Sequence, residues 1–94
     1  MSENANRKII SVKIATAEKG NINSQFVISS MYNREKNFRQ AYSWFEVARM
    51  SGLKINLSNQ NYQKKLAAKL SPLELEEAKL EAERIFSRIM LLKL

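Results

Sequence analysis

The side chains able to move protons or attack carbon are few in this chain. It has no histidine, no cysteine and no aspartate, which leaves Glu, Lys, Ser and Tyr for any chemistry. The commonest general base, the thiol nucleophile, the carboxylate–histidine pair and the mixed-ligand metal site are all missing as a result. Five glutamates, Glu74, Glu76, Glu77, Glu81 and Glu83, stand close enough in sequence to pair. They fall on one amphipathic helix, where the positive end of the helix dipole, an N-terminal cap and Lys79 or Arg84 three residues on account for them. No glycine-rich loop is present to cradle a phosphate. The expectation is a protein that binds and does not catalyse, with no catalytic, cofactor-binding or metal-ligating residue and no cofactor.

Side chains suited to binding are more plentiful. The formal net charge is +7, and it is unevenly spread: residues 1–70 hold 12 Lys and Arg against 4 Glu, residues 71–94 hold 4 against 5. A positive field of that kind attracts acidic proteins, nucleic acids or anionic membrane surfaces, although basic residues on exposed helix faces commonly do no more than keep a surface solvated. Arg34, Lys36 and Arg39 form one basic strip at a turn; Lys64, Lys65 and Lys69, with Tyr62 nearby, form another along a helix. Tyr and Arg dominate interface energies where they are exposed, so Tyr32, and Tyr42 with Arg39 and Arg49, complete the candidate contact surface.

The elements that must carry these residues are helical. Gly20, Gly52 and Pro72 are the chain's only glycines and proline, too few for the many turns of a sandwich or barrel. Ile10, Ile14 and Ala17 mark a first helix over residues 5–19, closed by Gly20. Ser24 or Asn23 caps a second, with Phe26, Val27, Met31 and Tyr32 on its apolar edge. Asn37 caps a third, in which Ala41, Phe45 and Ala48 at i, i+4, i+7, with Trp44 beside them, make a face for another helix; Gly52 ends it. A fourth runs from about Leu57 to Lys69, with Tyr62, Leu66 and Ala67 inward. Ser71-Pro72-Leu73-Glu74 combines a serine cap, proline at the first helical position and glutamate at the third, the capping-box signature of a fifth. Leu75, Ala78, Ala82, Ile85, Ile89 and Leu92 then form a seam of period 3.5, suited to intramolecular packing or to a homodimer.

With these pieces in place, the chain resembles the Sel1-like repeat family, short helix-turn-helix units related to tetratricopeptide repeats. The resemblance covers about residues 14–86. Phe26, Met31 and Tyr32 followed by Ala41, Trp44, Phe45, Ala48 and Gly52 look like one whole unit, and Ile14 to Gly20 like the tail of a preceding one. Leu70-Ser71-Pro72 looks like the turn into the helix that closes such arrays. The turn after Tyr32 departs from the family in lacking glycine. The resemblance implies an all-α short solenoid of about five helices in antiparallel pairs, with residues 21–52 as one repeat unit and residues 53–94 as capping helices. It also implies an adaptor, scaffold or inhibitor that presents a groove to another protein, to its acidic surface or to a peptide.

Three classes of function follow: the protein-binding module, a small basic nucleic-acid binder, and a bare oligomerisation module built on the C-terminal seam. A bacterial or phage inhibitor that blocks a nucleic-acid-processing complex is a variant of the first two. No stretch of the sequence is long and apolar enough to cross a membrane, and residues 1–20 are too interrupted by charge for a secretory signal, so the sequence reads as cytoplasmic.

Overall fold

A computed structural model describes residues 14–93 of the chain. Over the described residues the fold is all-α, with five helices packed against one another. Helix α1 is described over residues 14–17. It is followed by α2 (Ile22–Arg34), α3 (Phe38–Met50), α4 (Leu57–Ala67) and α5 (Pro72–Leu92). The expected start of α1 at residue 5 lies outside the described residues, and among those described there is no strand.

The helix ends follow local side-chain chemistry. Asn37 caps α3 and Asn56 caps α4, each through a side-chain oxygen that accepts from the backbone N–H three residues on. At α5 the Ser71 hydroxyl accepts from the Glu74 N–H at 3.1 Å and Glu74 Oε1 accepts from the Ser71 N–H at 2.9 Å, the reciprocal capping box that the sequence announces. The cap of α2 is Asn21, and neither Ser24 nor Asn23. Asn21 Oδ1 accepts from the Ser24 N–H, so Ser24 is the third residue inside the helix, and its side chain is buried. Helix α4 stops at Ala67, two residues short of the expected Lys69.

Two helices end in the same hydrogen-bonded turn with different residues at its critical point. After α3, Gly52 has φ 118° and donates to the Arg49 carbonyl, while Leu53 donates to Ala48. After α2, Lys36 takes the equivalent place at φ 61°, donating to Asn33, while Asn37 donates to Tyr32. Both are Schellman turns, in which a left-handed residue lets the chain reverse and satisfies the last carbonyls. Lysine does this with a Cβ that the left-handed region disfavours. The turn that lacks glycine therefore keeps the geometry glycine would have supplied.

Helix α3 is the centre of the molecule. All eight residues from Ala41 to Ala48 are buried, because α2, α4 and α5 each pack against a different side of it. Trp44 and Val47 join Ala17, Ile28, Ala82, Ile85 and Ile89 in one cluster; Ala41, Tyr42 and Phe45 join Leu66 and Ala78 in a second. Tyr32 packs against both. Phe26, Phe45 and Tyr62 form a triangle of rings with centroids 5.5 to 6.2 Å apart, within the range of favourable aromatic contact.

Helix α5 contributes to both clusters and lies directly on α3. Its inner face carries alanines at Ala78 and Ala82, so the two backbones approach closely enough for the Ser43 hydroxyl to donate to the Ala78 carbonyl at 2.9 Å. Of the apolar seam read from the sequence, Ala78, Ala82, Ile85 and Ile89 are buried within the chain and Leu75 is half-buried against the second cluster. The middle of the 75–92 seam is thus packed on α3 within the chain. Leu92, at its end, is exposed.

Candidate functional site

The residues expected to meet a partner fall on two surfaces. The first is a basic corner built where the α2–α3 turn meets the α4–α5 turn. Arg34, Lys36 and Arg39 flank the first turn and are exposed; Lys65 and Lys69 approach from the second and are exposed as well. The sequence places these groups 26 or more residues apart and gives no reason to join them. The structure does so through one contact: Lys69 Nζ lies over the Phe38 ring, 4.4 Å from its centroid. A cation over an aromatic face is attracted by the ring quadrupole, worth about 0.5–1 kcal/mol at such an open site. Lys64 and Lys65 stand in the last turn of α4 and are exposed, and Lys69 follows in the turn beyond it.

Among the described residues, none of Arg34, Lys36, Arg39, Lys64, Lys65 and Lys69 is held in an ion pair with a carboxylate. Glu74 is the carboxylate that feels this charge. The Ser71 backbone and hydroxyl, and after them the positive charge of Arg39, hold its carboxyl below the ordinary range. Arg39 thus stands near the start of α5, and the corner lies where ends of α2, α3, α4 and α5 meet.

The second surface is a groove on α3, lined also by α4 and α5. Tyr42, Glu46, Arg49 and Met50 form its floor; Gln63 of α4 stands on one wall, and Lys79 and Glu83 of α5 on the other, around about 380 Å³ of space. Glu46 organises the floor. Its carboxylate accepts from Arg49 Nε at 3.0 Å and Nη2 at 2.9 Å, and from Gln63 Nε2 at 2.7 Å. The Arg49 pair is bidentate, which fixes the guanidinium in orientation as well as in place. Burial raises the Tyr42 phenol above its ordinary pKa and the Glu46 charge adds to this; Gln63 and Arg49 act in the opposite sense.

Tyr42 and Arg49 therefore lie together, as the sequence reading grouped them, but without Arg39, which belongs to the corner. Tyr42 is only 5% exposed, so it forms part of the floor and offers a partner little area. Tyr32 is half-buried between the two clusters and belongs to neither surface. Glu46 and Gln63 escaped the sequence reading, and Lys79 and Glu83 entered it only as charges on the face of α5. Glu46 sits beside Phe45 in a helix whose every neighbour is buried, and that setting is the one signal that could have marked it.

Tyr62, which stood beside the lysine strip in the sequence, is turned away from it. Its ring lies against Phe26 and Phe45, and its hydroxyl is 2.9 Å from Ser29 Oγ. No metal-binding cluster of His, Cys, Asp or Glu occurs among the described residues, and no described helix is long and apolar enough to cross a membrane. Comparison with family models, with curated proteins and with solved structures finds no match to this chain.

Proposed function

We propose that this chain is a protein-binding module, an adaptor, scaffold or inhibitor, whose basic corner docks on an acidic surface of another protein. The observation that carries the reading is the Lys69–Phe38 contact, which brings Lys69 beside the turn that carries Arg34, Lys36 and Arg39. Each of these cations is exposed and free of a carboxylate partner among the described residues. Such a patch steers an oppositely charged surface into place and speeds encounter. The groove beside it, with its rigid Glu46–Arg49 floor, offers polar groups to an extended segment of the same partner.

The Sel1-like character of the chain is part of this proposal. Support comes from the buried alanine and aromatic face of α3, from Gly52 closing that helix and from the capped α5. A partner protein is favoured over nucleic acid because Tyr62 is withdrawn from the lysines and Phe38 is covered by Lys69, so neither ring is presented for base stacking.

The test is capture from a lysate of the source cell with the chain and with an Arg39→Glu, Lys69→Glu variant as baits, each with and without nuclease. A protein retained by the native bait after nuclease, and lost by the variant, is the expected result. Loss of everything on nuclease treatment would move the function to nucleic acid. Equal retention by both baits would remove the corner from the interface.

A further inference from the structure

The floor of the α3 groove holds a buried charge that the chain itself satisfies. Glu46 is 7% exposed, and its carboxylate accepts two N–H groups of Arg49 and one of Gln63. A cation brought by a ligand would have to displace Arg49 to reach it, breaking a buried ion pair. Glu46 is therefore part of the frame of the groove and does not meet the ligand.

Arg49 has donors to spare. A guanidinium is a planar fork of five N–H groups, with two edges that each match a carboxylate. Glu46 takes the edge made by Nε and Nη2, at 3.0 and 2.9 Å. The end-on edge, made by Nη1 and the second hydrogen of Nη2, has no partner among the described residues. It belongs to a side chain that lines the groove and is 44% exposed, so it is open to a ligand. Lys79 and Glu83 stand one turn apart on the α5 wall, and neither is in an ion pair among the described residues. They offer one donor and one acceptor, the complement of the C=O and N–H of a peptide backbone.

We infer that the groove seats an extended segment of the partner by one carboxylate side chain, bound end-on by Arg49, with Glu46 as the positioning residue behind it. This rests on the reading of the chain as a binder of an acidic protein surface. The Glu46 bonds hold the guanidinium in one orientation, so its free edge is in place before the ligand arrives and little side-chain freedom is lost on binding. Net charge alone and a positioned guanidinium predict opposite signs for one substitution. Glu46→Gln makes the chain more positive, which strengthens any binding that depends only on charge. A positioned Arg49 loses its orientation in the same variant, and binding weakens. Arg49→Lys keeps the charge but has no planar fork to offer a carboxylate.

The test is a fluorescence-anisotropy titration of the full chain with a dye-labelled, capped peptide of alternating Glu and Gln, about ten residues long to span the groove in extended form. Arg49→Lys and Glu46→Gln should each weaken binding about tenfold, the loss of one charge-assisted hydrogen bond, with helical circular dichroism unchanged. In nitrogen-15 NMR spectra the Arg49 Nε–H signal should shift with this peptide and stay in place with an all-Gln counterpart. Unchanged affinity in Arg49→Lys overturns the inference and leaves the acidic-partner reading standing. Tighter binding by Glu46→Gln overturns the positioning role of Glu46; if that variant fails to fold, Arg49→Lys decides alone. No binding of the peptide by the native chain removes the acidic-partner reading, and this inference with it.

Discussion

Tyr62 donates to Ser29 across 33 residues of sequence, at 2.9 Å. The direction follows from proton counting: the single hydroxyl proton of Ser29 goes to the Ala41 carbonyl at 2.6 Å, so the shared bond takes its proton from Tyr62. This relay fastens α4 to α2 and α2 to α3 inside an otherwise apolar interface. Removing the Tyr62 hydroxyl with Tyr62→Phe should cost about 0.5–1.5 kcal/mol, and Ser29→Ala, which strands a half-buried phenol, about 1–3 kcal/mol. Urea unfolding measures both. In the double variant the two losses should sum to less than their separate values, because the bond they share is lost only once.

Trp44 stands at the crossing of α1, α2 and α5 on α3, 4% exposed. Trp44→Ala should cost on the order of 3–5 kcal/mol. A domain of this size has only about 5–15 kcal/mol to lose, so the variant should show a large fall in helical circular dichroism or in its melting temperature. Leu73→Ala, on the exposed side of α5, should change stability by less than about 0.5 kcal/mol.

Helix identity was legible in the sequence where a side chain answers to its own backbone. The Ser71–Glu74 box, the Asn37 cap and Gly52 each act within a few residues, and each stands where the spacing put it. The Trp44 and Phe45 face was legible as core because small and aromatic residues shared it. What could not be read was how the helices meet. The period-3.5 seam of α5 reads alike whether its partner is α3 or a second copy, and spacing alone does not put Ala78 and Ala82 on α3. The basic corner was hidden for the same reason, since Lys69 reaches Phe38 through a fold and not through spacing. Glu46 was passed over because a glutamate inside a helix is ordinarily a solvated one.

Alkali should unfold this protein through its tyrosines. Burial raises the phenols of Tyr32, Tyr42 and Tyr62 above their ordinary value, assisted by Glu35 at Tyr32 and by Glu46 at Tyr42. The folded state therefore holds these protons more tightly than the unfolded chain, whose tyrosines ionise near pH 10. The stabilisation is fully present below that pH and is lost as pH rises through the higher folded values. Urea midpoints should be flat from neutral pH to about 9 and fall beyond about 10. In Tyr62→Phe the fall should be shallower, since one of the three linked protons is gone, and tyrosinate absorbance should rise together with unfolding in the native chain.

Lys36 is where the fold and the proposed binding surface place opposite demands on one residue. Its φ of 61° costs a side chain with a Cβ about 1–2 kcal/mol relative to the right-handed region, which glycine would avoid. Part of that gain is offset by the wider freedom of glycine in the unfolded chain, so Lys36→Gly should raise stability by about 0.5–1 kcal/mol. In a domain of this length that is roughly 2–8 °C in melting temperature, within reach of calorimetry. Lys36→Ala removes the same charge but keeps the Cβ, and should give no such rise. If strain is the cause, the two variants separate in stability. If Lys36 is retained for its charge at the corner, they weaken partner capture to the same degree, and the more stable of the two binds no better.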